Sequence, residues 1–214
     1  MMRSFRNQIR YILQYIGIMV LAMLVAIPYM TIVLHEDTEF SMLSYQAATY
    51  FMLLLFSFLF ICIFNSSNLM PALQFGATRK GWFRAMLVNK ILFAAGGIAA
   101  ILLATPVAQI FYGQPVVFGG SVFPLFAASA LFMASYGAML GYASARYGAK
   151  WLAIGTAVFF IVLIGATVLL LVFLPTERLA TLASNPWLVA GLLIACIPPE
   201  FIGWLVLRKI PAKG

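Results

Sequence analysis

One acidic residue, Glu200, lies inside an apolar stretch of the chain and follows Pro198 and Pro199 directly. Ionisable side chains within membrane-spanning helices are costly and usually serve a function. The prolines cannot donate backbone hydrogen bonds, so they predict a break, with Glu200 in the first turn of a restarted helix. Glu200 is then a hinge or an anchor for a cation such as Lys90 or Arg146. Alternatively, it is an interfacial carboxylate that extends toward lipid headgroups.

The other reactive residue types form no catalytic arrangement. His35 is the single histidine; it lies beside three acids, where a solvated polar turn is favoured over a metal site. No Gly-rich phosphate-binding loop, HExxH motif or Ser–His pair is present. Cys62 and Cys196 lie in apolar runs and are interpreted as packed small side chains. The chain is therefore predicted to have no catalytic, cofactor or metal site and not to be an enzyme.

The composition is that of an integral membrane protein. Apolar residues make up 64% of the chain and charged residues 8%, far from the usual half and quarter of a soluble domain. The formal net charge of +8 is explained by membrane orientation and anionic lipid, so nucleic acid is not an expected partner. The lipid bilayer is the expected surrounding.

The basic residues indicate how the chain crosses the membrane. Apart from Arg178, they fall in four clusters: Arg3, Arg6 and Arg10; Arg79, Lys80, Arg84 and Lys90; Arg146 and Lys150; Arg208, Lys209 and Lys213. Short cytoplasmic loops retain Lys and Arg, so all four clusters are placed inside. The pattern predicts a multi-pass protein of the plasma (inner) membrane with both termini cytoplasmic.

The apolar runs between the clusters predict an all-α fold with six transmembrane helices. A hydrocarbon core of ~30 Å needs about 20 helical residues, and the predicted spans are 11–34, 45–64, 91–111, 122–142, 151–174 and 187–207. They form a single transmembrane domain, 1–214. Before the first span, Arg3, Arg6 and Arg10 oppose Phe5, Ile9 and Ile12 and predict an interfacial amphipathic helix, with a plain basic tail as the alternative.

Small residues are dense in spans three to five. Gly137 and Gly141 form a GxxxG pair, which permits close approach of two helices. In a six-span protein, internal packing is favoured over dimerisation as the role of this pair.

The segment 65–90 after the second span is the most distinctive cytoplasmic one. Asn68 is expected to cap a short helix that accommodates Pro71 in its first turn and ends at Gly76. Its apolar surface is predicted to comprise Leu69, Leu73 and Phe75, and the basic residues that follow are Arg79, Lys80 and Arg84. The simpler alternative is a charged loop that only sets orientation.

The string of Phe75, Gly76, Ala77, Thr78, Arg79 and Lys80, followed by Trp82 and Phe83, resembles the inner loop of the type-2 ABC exporter permeases. The interfacial helix and six spans are also similar to that family. The resemblance implies that 65–90 is a coupling loop that docks on separate ABC ATPase subunits, which bind the ATP and Mg. It further implies a second permease half, identical or homologous, and a hydrophobic or amphipathic cargo such as a bacteriocin-like peptide or a drug. The short outer loop between spans five and six departs from some lipid exporters and argues against polysaccharide cargo.

Two other functions remain open. Substrate-binding subunits of vitamin importers also have six spans, and Ala22 and Ala26 provide the small-residue spacing that such subunits resemble. A vitamin site requires several polar residues near the outer loops, and few are present beyond the first loop. The second alternative is a non-transporting immunity or assembly protein.

Overall fold

The computed structural model describes residues 13–25, 38–113, 122–173 and 185–211, and within these ranges the regular structure is entirely helical, as predicted. The helices are α1 (Leu13–Val25), α2 (Thr38–Gln74), α3 (Arg79–Tyr112), α4 (Phe123–Tyr147), α5 (Ala149–Phe173), α6 (Pro186–Ala195) and α7 (Ile197–Arg208). The predicted interfacial helix with Arg3, Arg6 and Arg10, and the outer-loop residue His35, lie outside the described residues.

Four segments are long and apolar enough to cross a membrane: Tyr45–Gln74, Arg79–Tyr112, Phe123–Tyr147 and Pro186–Arg208. They overlap the second, third, fourth and sixth predicted spans, and the first two extend ten or more residues beyond the predicted bounds at the basic end. The shorter apolar helices Leu13–Val25 and Ala149–Ile161 lie within or overlap the first and fifth predicted spans. The described chain is therefore a helical bundle with the length and apolarity of a membrane protein.

Helix α4 lies at the centre of the bundle and packs against α2, α3, α5, α6 and α7. Its closest approach is to α2, and glycine makes it possible. A Cβ atom on Gly137 would lie 2.4 Å from the carbonyl oxygen of Phe58, and one on Gly141 would lie 2.7 Å from that of Cys62. The GxxxG pair thus faces α2 within the same subunit.

Aromatic side chains join the first three helices. Tyr15 of α1 lies between Phe60 of α2 and Phe93 of α3, with ring centroids 4.4 Å and 3.9 Å from its own. Tyr15 and Phe93 are buried. This cluster packs α3 against α2 in the part of α3 that follows its basic residues.

Polar side chains inside the helices use the backbone as their partner. Ser57 donates to the carbonyl of Leu53 at 2.6 Å, and Thr105 donates to that of Ile101 at 2.7 Å. Such bonds within one helix satisfy hydroxyl groups where lipid offers no partner. Isolated Ser and Thr residues therefore do not interrupt these helices.

The prediction that α2 ends near Phe64 and that a separate short helix begins at Asn68 is wrong. Helix α2 continues to Gln74 and α3 begins at Arg79, so the connection is only the segment 75–78. Asn68 does not cap a helix, because its side-chain amide donates to the carbonyl of Phe64 at 3.1 Å. Polar side chains satisfied within the helix, together with a tolerated Pro71, let α2 run through the predicted loop.

Candidate functional site

Two features lie toward the end of the bundle where Arg79, Lys80 and Arg208 are found, here called the basic end. The hairpin tip is the turn 75–78 between α2 and α3. The ion pair is formed by Lys90 of α3 and Glu200 of α7. Together they include or adjoin most of the residues that the sequence singles out.

The hairpin tip is held by a cap on each side. Gly76 has a φ of 87°, a left-handed conformation that glycine adopts without a steric penalty. The Ala77 N–H donates to the carbonyl of Ala72 at 2.9 Å and the Gly76 N–H to that of Leu73 at 3.2 Å, which is the Schellman arrangement. Thr78 then caps α3, since its hydroxyl accepts from the N–H three residues later at 3.0 Å. The turn is therefore rigidly defined.

Phe75 is the large apolar side chain of the tip, and 90% of its surface is exposed. The predicted apolar surface of Leu69, Leu73 and Phe75 is corrected by the structure, because Leu69 and Leu73 are buried in the core. They face inward because α2 remains one helix there and keeps its buried face toward the bundle. Only Phe75, beyond the last turn of α2, is displayed.

Trp82 points inward and joins α3 to α2. Its indole Nε1–H donates to the side-chain oxygen of Asn65 at 3.0 Å, and Asn65 in turn donates to the carbonyl of Ile61 at 2.9 Å. Phe64 stacks on the Trp82 ring at 5.8 Å between centroids. Asn65 and Trp82 are both buried, so this network fixes the two helices of the hairpin to each other just below its tip.

Arg79 is bound within the chain, whereas Lys80 is exposed. The Arg79 guanidinium donates from Nε at 3.1 Å and from Nη2 at 2.7 Å to the carbonyl oxygen of Ile210. Lys80 and Arg84 are exposed on the following turns. The two adjacent cations of the predicted coupling string thus differ: Arg79 ties the tip to the segment after α7, and Lys80 faces outward.

Phe83, the other aromatic residue of the string, also packs within the chain. Its ring lies 5.2 Å from that of Trp204 on α7, measured between centroids. The guanidinium of Arg208 lies over the Trp204 ring, 5.9 Å from its centroid. The start of α3 and the end of α7 therefore meet through aromatic contact.

The sixth predicted span is divided into two helices at Cys196. Helix α6 ends at Ala195 and α7 begins at Ile197, with Pro198 and Pro199 in its first turn and Glu200 in the same turn. The proline nitrogens carry no hydrogen, so the ladder of backbone bonds is interrupted there. Glu200 then lies where the N-terminal dipole of α7 favours a negative charge.

Lys90 Nζ pairs with Glu200 Oε1 across the interface of α3 and α7. Of the two cations suggested by the sequence, Lys90 and Arg146, it is Lys90 that pairs with Glu200. The Lys90 side chain is 3% exposed and that of Glu200 is 19% exposed. A buried ammonium group without a counter-ion is strongly unfavourable, so the pair holds the two helices in one register.

Further polar groups surround the acid. Cys196 donates from Sγ to the carbonyl of Leu192 at 3.3 Å and shares a side-chain hydrogen bond with Ser135 of α4. The Tyr142 ring of α4 lies against Gly203 of α7, and its buried hydroxyl has no hydrogen-bond partner among the described residues. The ion pair thus belongs to a polar cluster contributed by α3, α4 and α7.

Sequence reasoning missed several members of these sites. Asn65 and Ser135 gave no pattern, because each is a single polar residue whose partner comes from a distant part of the chain; Tyr142 gave none because its ring meets α7 only in the folded bundle. A signal was available for Asn65 and Trp82, since each is a hydrogen-bonding side chain close to an apolar run. Their pairing, however, depends on α2 being longer than predicted.

The side chains of these sites meet one another through an ion pair, hydrogen bonds and ring contacts. No group of three His, Cys, Asp or Glu side chains that could hold a metal occurs in the described ranges. Cys62 and Cys196 are not in disulfide bonds, and Cys62 packs in an aromatic core. Comparison of the chain with protein-family models, with curated proteins and with solved structures gave no match.

Proposed function

We propose that the chain is the permease subunit of an ATP-driven exporter in the plasma membrane. It crosses the bilayer six times with both termini in the cytoplasm, pairs with a second permease half and takes its energy from separate ABC ATPase subunits. The observation that carries the proposal is Phe75, 90% exposed on a rigid turn at the basic end of the bundle. Aromatic anchors of this kind are typical of the energetic centre of protein interfaces.

The length of the hairpin supports this role. Tyr45–Gln74 has 30 residues and α3 has 34, which correspond to about 45 and 51 Å of helix. The hydrocarbon core of a bilayer is only ~30 Å thick. Helix α3 is therefore about 20 Å longer than the core, so its first turns are available to project beyond the core at the basic end. A cytoplasmic partner could then reach Phe75.

The contacts below the tip provide a path for mechanical coupling. The bond from Trp82 to Asn65 connects the tip to α2, the bonds from Arg79 to Ile210 connect it to the segment after α7, and Lys90 connects α3 to Glu200. A displacement of the tip by an ATPase therefore acts on three helices together. Movement of packed helices against each other is an established form of conformational change.

The cargo is proposed to be hydrophobic or amphipathic, such as a bacteriocin-like peptide or a drug. The chain contains 19 Phe and 11 Met residues, and flexible or aromatic apolar side chains adapt to varied apolar ligands. The rest of the spans are apolar, which suits such compounds better than sugars.

The test compares two exposed aromatic residues, Phe75 in the turn before α3 and Phe111 near the other end of α3. The chain is co-expressed with a candidate ABC ATPase partner, and co-purification and ATP hydrolysis are measured. Phe75→Ala is expected to lower co-purification at least tenfold, as loss of an interface anchor of about 2 kcal/mol implies. Phe111→Ala, whose side chain is 56% exposed at the other end of α3, should have no effect. Equal results for both variants would favour a vitamin importer subunit or an immunity or assembly protein.

A further inference from the structure

A groove of about 570 Å³ runs between α3 and α7 at the basic end. These two helices contact each other sparingly, and the space between them is open to the surface. Helix α3 lines it with Lys80, Phe83, Arg84 and Leu87, which recur every three or four residues and so share one face of the helix.

The groove has a charged rim and an apolar middle. Lys80 and Arg84 are exposed and lie one turn apart at its outer end. The facing helix α7 contributes Phe201 and Trp204, and the Trp204 ring packs against Phe83 of α3. Trp204 is an aromatic residue of the kind that concentrates at the membrane–water interface.

The acid in the lining does not cancel the positive rim. Glu200 is the acidic residue among those that line the groove, and it is paired with Lys90. Lys90 follows Lys80 by ten residues and Arg84 by six, which are about 15 and 9 Å along a helix. Lys80 and Arg84 form no ion pair with any described residue, and apolar surface separates them from the neutralised pair.

We propose that this groove binds one anionic phospholipid from the leaflet at the basic end. The phosphate lies between Lys80 and Arg84, and an acyl chain follows Phe83, Leu87 and Phe201 inward. Basic residues beside apolar surface near a membrane interface are the chemistry that recognises anionic headgroups. A free phosphate ion would use the cations but leave the apolar part of the groove uncovered. The proposal is independent of export and of any ATPase.

The experiment measures quenching of Trp204 by phospholipids with brominated acyl chains, which quench indoles that they contact. The chain is purified in detergent with Trp151→Phe and Trp187→Phe, because those two rings are exposed whereas Trp82 is buried. Brominated phosphatidylglycerol is compared with brominated phosphatidylcholine of the same chain length. Anionic lipid is expected to quench at a concentration at least tenfold lower, and Trp204→Phe should remove the lipid-dependent quenching.

Lys80→Gln with Arg84→Gln is expected to reduce the anionic preference by about tenfold or more, since each basic residue near an anionic lipid contributes roughly fivefold. The matched control is Arg146→Gln with Lys150→Gln, which also removes one Lys and one Arg four residues apart. That control should retain the preference. Phe201→Ala, at a side chain 61% exposed, should weaken both lipids while leaving their ratio unchanged.

Four results would overturn the proposal. Equal quenching by the two lipids would mean that the cations select no headgroup. Equal loss of preference in both double variants would mean that net charge, not this groove, attracts the lipid. Displacement of the lipid by millimolar inorganic phosphate would assign the groove to a free anion. An absence of quenching together with a dimer that buries Trp204 would assign it to a second copy of the chain. Circular dichroism and gel filtration verify that each variant is folded.

Discussion

Lys80 and Lys90 are the same residue type on the same helix, yet their surroundings are opposite. Lys80 lies beside the hairpin tip and is exposed, whereas Lys90 is 3% exposed and paired with Glu200. About 15 Å of helix separates them. The difference teaches that residues of one basic cluster divide between two roles: Lys80 offers its charge to the surroundings, and Lys90 holds helices together.

The largest effect is expected from removing one member of the ion pair. Glu200→Ala leaves the buried Lys90 ammonium without a counter-ion and should destabilise the fold by about 3–5 kcal/mol. The double variant Lys90→Met with Glu200→Met buries no charge and should lie much closer to wild type. Stability is measured by thermal unfolding in a single detergent. Lys80→Met is the control and should change stability by no more than about 0.5 kcal/mol. A double variant as unstable as Glu200→Ala would show that the lost charge is not the cause.

The glycine contact between α4 and α2 provides a second buried position for comparison. Gly137→Ala sets a methyl group against the Phe58 carbonyl, 2.4 Å away, and backbone atoms cannot move aside easily. Overpacking of this kind should cost about 1–3 kcal/mol. Gly191→Ala is the matched control, since nothing lies within 4 Å of its added Cβ. The same thermal assay measures both, and equal midpoints would contradict the close packing described.

An intermediate effect is expected directly below the tip. Trp82→Phe retains an aromatic ring that stacks with Phe64 but removes the indole donor to Asn65. Leaving the buried Asn65 oxygen without this partner should destabilise by about 1–2 kcal/mol. Asn65→Ala combined with Trp82→Phe removes both partners, and a double-mutant cycle measures the coupling. Strict additivity of the two substitutions would mean that the hydrogen bond contributes nothing.

The smallest effect on stability is expected at the tip itself. Phe75→Ala removes a side chain that is 90% exposed, so the free energy of unfolding should change by no more than about 0.5 kcal/mol. This result would separate the tip from the buried network, because the same variant is expected to impair ATPase binding. A loss of stability above 1 kcal/mol would show that Phe75 packs within the protein and is not displayed to a partner.

Much of the helical organisation was accessible from the sequence, because long apolar runs must satisfy their backbone within a helix. The break at Pro198 and Pro199 and the helix stop at Gly76 were accessible for a similarly local reason, since both depend on backbone chemistry. The extent of α2 was not accessible. Asn65 and Asn68 have the character of loop or cap residues, but both donate to the preceding turn, and Asn65 also accepts from Trp82.

The sequence by itself determined an apolar, all-helical chain with basic residues clustered between its apolar runs, since composition and hydrogen-bond saturation act locally. Only the tertiary structure decided which residues of the basic cluster are exposed. Arg79 donates to the Ile210 carbonyl, Lys90 pairs with Glu200, and Lys80 remains exposed. Residues far apart in the chain meet only through helix packing, and a charge is buried or displayed according to which helix lies opposite it. Helix periodicity gives the spacing of side chains along α3, but the position of α7 gives them their partners.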